Sequence, residues 1–538
     1  MKWFVVVALV ACGGSKTAPP LPPLPHAAYA HYLDGKLAGY RDDWPAAAEA
    51  LADATKAAPD QPVIAVELAR AQARAKQVDA AKATLAAART KWPKHAQVWS
   101  ASGDLLAATA PAEAIRAYRK AIELEPLDER SYLGLAKLAL PADATAVLRR
   151  LVKRVPTSVE GHYRLGQRLA VAKQLPAAIA EMRKVLELDP DQIDARLDLA
   201  RGLRIQGKLD EAVAQTRSAF DRSGQALDLA EELFNLLVEA DDRTAALDLL
   251  TLLDDERSDT DALAIVARLH RNLGKFDEAK DIAARIAKLD TDLGTLVLAE
   301  IEIAAGDPEP AAKRALAVAS GAERFAESRR VAAAALLALH EPQQAFDALA
   351  AIPDKGTEHA TLMAFALVDL GKPAETRAVL APLGDSAGAT FARARVAERA
   401  GDAAGALALV ESLVRAKPDL VAALNLAGYL LADSGQRLGD AERYLTRARE
   451  LAPGDAAILD SWGWLQYRKR EYRAALRTLD RAVRFSPREP EILVHLAAAM
   501  IGAGMPRIAA AVLDRAVAMR PAQQVQNKID SLRKTLPP

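Results

Sequence analysis

At 538 residues the chain exceeds what one hydrophobic core usually supports, so it must divide into domains or grow by repetition. Hydrophobic residues make up 51% and aromatics only 5%, a balance that suits close-packed helices better than strands, while Lys plus Arg equals Asp plus Glu at 71 each and leaves no charge excess for nucleic acid or an anionic membrane surface. A single cysteine, Cys12, excludes an intrachain disulfide and a thiolate zinc site, so the fold rests on packing.

Residues 1–11 open with Lys2 and run apolar from Trp3 to Ala11, the pattern of an export signal. The run is too short to span a hydrocarbon core that needs about 20 helical residues. Leu9-Val10-Ala11-Cys12 resembles the bacterial lipobox, in which the thiol is diacylglycerylated and the chain is cut before the cysteine. The resemblance implies that Cys12 becomes an acylated first residue. Residues 12–25, rich in Gly, Ser and Pro, read as a tether that holds the folded part of the chain about 30 to 40 Å from the lipid. In the lipoproteins it resembles, an aspartate after the cysteine favours inner-membrane retention; here Gly13 stands in that place, which points to the outer membrane, facing the periplasm.

From residue 26 a helical stretch, a short turn, a second stretch and a proline recur. Pro59, Pro93, Pro126, Pro156 and Pro190 fall 34, 33, 30 and 34 residues apart, and Pro418, Pro453, Pro487 and Pro521 fall 35, 34 and 34 apart. Residues 456–489 carry the pattern most clearly, in Leu459, Trp462, Gly463, Ala475, Leu479, Ala482 and Pro487. This period and these positions resemble the tetratricopeptide repeat. The resemblance implies an all-α fold, a right-handed α-solenoid of about 15 helical hairpins. Gly463, Gly428, Gly166 and Gly35 stand in first helices, where Gly costs about 1 kcal/mol against Ala, so close helix contact is expected there. Residues 26–224 read as an amino-terminal repeat block, 225–386 as degenerate repeats whose terminal prolines mostly vanish, and 387–521 as a carboxy-terminal block. In 522–538, Val525, Ile529 and Leu532 at helical spacing read as a capping helix on an open solenoid end.

No catalytic motif emerges, and neither a cofactor nor a metal is expected. The eight histidines are scattered without metal-ligand spacing and read as surface or helix-packing residues. Gly14-Ser15-Lys16-Thr17 lacks the glycine spacing, strand and helix of a phosphate loop. A binding surface is what remains. In the repeat family the first helices line the groove, which makes Asn425, Tyr429, Asp460, Trp464, Tyr467 and Arg468 the candidate groove residues for a protein partner. A helix cannot bury Trp462 and Trp464 on one face. With Trp462 assigned to the core, Trp464 is either an exposed hot spot beside Tyr467 and Arg468 or a packing residue against the adjoining repeat.

Leu426-Ala427-Gly428-Tyr429, Asp440-Ala441 and Ile458 to Trp464 are similar to the carboxy-terminal repeats of bacterial envelope proteins, among them outer-membrane lipoproteins that act as adaptors for a carboxy-terminal processing protease. The implied function is a lipid-anchored scaffold or adaptor that brings a protease or hydrolase to the envelope. A helical-repeat support for polysaccharide export is the alternative; genomic neighbours separate the two.

Overall fold

The computed structural model describes residues 24–256, 259–352, 356–452, 454–519 and 521–536. Cys12 and the tether to residue 23 lie outside them. Among the described residues there are thirty-one α-helices and no strand, and the helices pair in chain order into fifteen hairpins with one last helix, Gln523–Arg533, after them. This is an all-α array of tetratricopeptide type. It forms two compact units, one ending at Gly202 and one beginning at Leu203, the boundary falling inside the helix Ile193–Ile205.

Local chemistry explains the hairpin. Pro59, Pro93, Pro126, Pro156, Pro190, Pro418 and Pro487 each lie just past a second helix, at the turn into the next hairpin, where the missing N–H costs nothing. Six residues after three of these prolines, a side chain of the next first helix reaches back to the proline carbonyl: Trp99 Nε1 to Pro93 at 2.8 Å, His162 Nε2 to Pro156 at 3.1 Å, Arg196 Nη2 to Pro190 at 2.6 Å. Three unlike side chains thus tie down the same junction, because each carries a nitrogen at the right reach.

Within each hairpin a residue with left-handed backbone commonly joins the two helices. Asp42, Lys76, Lys173 and Asp241 adopt φ near +60°, and Gly207, Gly274, Gly306, Gly371, Gly401 and Gly504 adopt larger positive values where a side chain would be strained. Among the described residues, only the third and fourth hairpins, Ala96–Leu124 and Glu129–Arg154, turn without one.

The expected close approach of the two helices is present. A Cβ on Gly463 would stand 2.5 Å from Leu479 Cγ, and one on Gly428 2.4 Å from Leu445 Cγ, so in each case the leucine four residues after the second helix's alanine fills the space that glycine leaves. Ala441, Ala475, Leu445 and Leu479 are fully buried.

In the middle of the array the second helices shorten. Pro308–Ala317, Pro342–Ala350 and Pro373–Leu380 have 10, 9 and 8 residues, against 14 for Tyr472–Phe485. After Pro308–Ala317 the chain returns through residues 318–324, and after Pro373–Leu380 through the 3-10 turn Ala381–Leu383, in place of the regular proline turn.

Inside the second unit, Arg481 of the fourteenth hairpin and Arg488 in the turn after it reach distant helix ends. Arg481 donates to the carbonyls of Val238, at 3.1 Å, and Glu239, and Arg488 donates to Ala305. These are the carboxy-terminal carbonyls of Leu227–Glu239 and Thr291–Ala304, where unpaired acceptors and the helix dipole favour a cation.

Candidate functional site

The helix Ala456–Arg468 starts at Asp455, whose Oδ1 accepts from the N–H groups of Ala457 and Ile458 at 2.8 and 3.1 Å. Ile458, Leu459 and Leu465 bury one side of it. Of its two tryptophans, Trp464 follows the packing alternative, and Trp462, expected in the core, is the more exposed. Trp462 is the half-buried one, lying under the Arg449 guanidinium at 4.4 Å, whereas Trp464 is 9% exposed. Residues two apart on a helix point about 200° from one another, so only one of the pair can face the adjoining first helices, and it is Trp464 that does. Its indole stacks on His495 of the next hairpin at 4.2 Å and on Tyr467 at 4.8 Å, and its N–H donates to Asp433 Oδ1 of the preceding hairpin at 3.1 Å. Trp464 is therefore a packing residue between neighbouring repeats and not an exposed hot spot.

Four of the other candidates join the same cluster. Asp460 is 7% exposed and holds His495 Nδ1 at 2.9 and 3.0 Å through its two oxygens. Tyr429 donates its hydroxyl to Glu491 Oε1 at 2.8 Å. Burial, then the Glu491 and Asp433 carboxylates, push that phenol far above its ordinary range, so it remains a donor. Tyr467 stacks on Trp464 and tilts against Tyr472 at 5.7 Å. Arg468 donates to the backbone carbonyl of Asp433 and lies over the Trp464 ring at 5.9 Å. Asn425, one turn before Tyr429 on the helix Val421–Ser434, is half-buried, and its side-chain oxygen is buried without a hydrogen-bond partner.

Sequence reasoning missed the groups that knit these residues together. Lys528, on the last helix, donates to Glu491 Oε1 at 2.9 Å and to the Tyr429 hydroxyl at 3.1 Å, and lies 3.7 Å from Asp433. Burial works against its charge, but Glu491 and Asp433 outweigh that and hold the ammonium above its ordinary range. Burial likewise works against the charge of Glu491, and His495 and Lys528 outweigh it and hold that carboxyl below its range. Two further carboxyls move the other way: Glu398 is raised by burial and by Glu491, and Glu489 is raised to about 7 by burial and by Glu491 and Asp460.

The last helix is more than a solubilising cap. Ile529 is fully buried, Val525 and Leu532 pack on the fifteenth hairpin, and Leu532 also touches the cluster around Trp464 and Leu431. The signal that locates the missing partners is the repeat interval itself: Asp460 meets His495 at a separation of 35 residues and Trp464 meets Asp433 at 31, so groove-lining positions one period away are the places to look.

Comparison with known proteins agrees with this architecture. Tetratricopeptide-repeat models match residues 41–104, 137–193 and 385–456. A TPR repeat-containing protein of Pseudomonas aeruginosa is 37% identical over 106 residues, which is 20% of this chain and 18% of that protein's length. Among solved structures, the APC/C hetero-tetramer Cut9–Hcn1 overlays with a TM-score of 0.33 at 14% identity, covering 94% of this chain and 96% of that one. YrrB, described as a TPR protein with an unusual peptide-binding site, overlays at 0.29 with 18% identity, covering 34% of this chain and 98% of its own. The chain thus carries tetratricopeptide repeats.

Proposed function

We propose that this protein is a lipid-anchored scaffold or adaptor of the cell envelope that holds a protein partner, a periplasmic protease or hydrolase in the first instance, on a tetratricopeptide array. One observation carries the reading: an array of fifteen hairpins of an interaction-type repeat comes after Leu9-Val10-Ala11-Cys12 and a proline-rich tether. Acylation at Cys12 fixes the array at the membrane, most naturally the periplasmic side of the outer membrane, and the repeats supply surface. In the carboxy-terminal block, Asp460 and Trp464 form the buried wall, and Asn425, Tyr429, Tyr467 and Arg468 stand half-buried beside it, where a partner makes contact.

Two measurements test this together. Metabolic labelling with an alkyne fatty acid should mark the wild-type chain and leave Cys12→Ala unlabelled. Photo-crosslinking in intact cells from a probe at Asn425 should give a discrete adduct with one envelope protein. Equal labelling of both forms removes the anchor, and a probe that crosslinks only to lipid or to nothing removes the scaffold role.

A further inference from the structure

The two hairpins that turn without a left-handed residue stand side by side, and the space next to them is open. Pro126 and Pro156 are 30 residues apart, the shortest interval between successive repeat prolines in the two regular series. The deficit falls in the first helix of the fourth hairpin: Glu129–Leu138 has 10 residues, against 13 in the corresponding helix Val159–Val171 of the fifth. At 1.5 Å per residue it stops about 4.5 Å early. Ala139 and Leu140 then lead directly into Pro141–Arg154, while the third hairpin turns through residues 107–110. The last turns of the neighbouring first helices keep Leu106 and Leu169 in the core and border open space elsewhere. A cleft of about 1010 Å³ lies there, lined among others by Ala107, Ala108, Leu133, Lys137, Leu138 and Val171.

The cleft is lined by groups of two kinds. Its carboxylates are already engaged: Asp104 lies 2.7 Å from Arg130 and accepts from the Tyr118 hydroxyl at 2.9 Å, and Glu160 lies 2.6 Å from Arg164. Two cations of the lining, Lys137 and Arg168, have no carboxylate partner among the described residues, which leaves the cleft with a net positive charge. Val171 is 82% exposed, an apolar side chain facing open space. Uncompensated cations beside an uncovered aliphatic surface match a ligand that carries carboxylates next to aliphatic side chains.

We infer that this cleft takes an extended acidic peptide segment of a protein partner, its carboxylates on Lys137 and Arg168 and an aliphatic side chain over Val171 and Leu133. The inference rests on the reading of the chain as a protein-binding scaffold and names the chemistry of one partner segment. A cationic segment would meet like charge at Lys137 and Arg168, and an uncharged one would leave both cations desolvated and unpaired.

The test is fluorescence anisotropy of the full chain with a fluorescein-labelled peptide alternating glutamate and leucine, and with its lysine-for-glutamate counterpart. The acidic peptide should bind, more weakly as salt rises, and the basic one should not. Lys137→Glu with Arg168→Glu should weaken binding at least tenfold, Ala108→Trp should weaken it by filling the cleft, and Lys137→Arg with Arg168→Lys should retain it, all with unchanged helical content. Equal affinity for both peptides, or wild-type binding by both the charge-reversed pair and Ala108→Trp, overturns the assignment. If the acidic peptide does not bind at all while the Asn425 probe still captures its envelope protein, the cleft proposal falls and the scaffold reading stands. If the probe also captures nothing, both fall.

Discussion

The groove-lining face of the carboxy-terminal hairpins and the cleft of the third to fifth hairpins are built from the same repeat and end in opposite states. In the first, most of the aromatic and charged side chains have found partners within the block, Trp464 between Asp433 and His495, Asp460 on His495, and Lys528 joining Tyr429 to Glu491, while the side-chain oxygen of Asn425 is left without one. In the second, a helix stops early, and Lys137, Arg168 and Val171 are left facing solvent. A tetratricopeptide hairpin thus makes its surface available only where its own neighbours leave the lining positions unsatisfied.

That contrast can be broken by mutation. The largest effect is expected at Trp464. As a buried stacking residue, Trp464→Ala should cost about 3 to 5 kcal/mol in urea denaturation of the full chain, while Val171→Ala in the cleft should stay within about 0.5 kcal/mol. A Trp464→Ala protein that melts like wild type would return Trp464 to the role of exposed docking residue. Next, Asp460→Ala leaves the His495 ring buried without its acceptor and should cost about 1 to 3 kcal/mol, whereas Lys137→Ala should be neutral. Comparable losses at both sites, read from denaturation midpoints, would mean that the two faces do not differ.

Smaller effects sharpen the picture. Lys528→Met removes the cation shared by Tyr429 and Glu491 but keeps its aliphatic stem; with the ammonium partly exposed, solvent screening limits the loss to about 1 kcal/mol. Amide exchange should then quicken in the last helix, Gln523–Arg533, before it quickens elsewhere; uniform quickening would deny the helix its role as a clasp. The smallest effect is in pH. Glu489 is exposed as a residue, yet its carboxyl is held up at about 7 by burial and by Glu491 and Asp460, so between its ordinary range near 4.5 and about 7 the folded state binds more protons than the unfolded one. Its contribution is therefore full below about 4.5 and is lost as pH rises through about 7, by less than about 1 kcal/mol once screening is counted. Glu489→Gln should flatten that part of the stability profile; an unchanged slope would assign the pH dependence to other groups.

Helix identity, hairpin count and the glycine, alanine and leucine positions of the regular hairpins were legible in the sequence, because they depend on contacts within one period. In the regular blocks, proline after the second helix, glycine opposite leucine and alanine at the helix crossing are local requirements that recur every 34 residues or so, and the structure meets them at Gly463, Leu479, Ala475 and Pro487 as the spacing predicts. The cap was legible as well, in Val525, Ile529 and Leu532. What the tertiary structure alone decided is where each lining side chain goes. Whether Trp462 or Trp464 is buried depends on how far the helix is rotated against its two neighbours, and a rotation of a fraction of a turn exchanges them. Lys528 meets Tyr429 across 99 residues, and Arg481 meets Glu239 across 242, only because successive hairpins stack with a particular curvature. The cleft lies between these cases: the 30-residue interval is plain in the prolines, but which helix gives up the missing turn, and whether a neighbouring side chain fills the gap it leaves, is settled only when the hairpins pack.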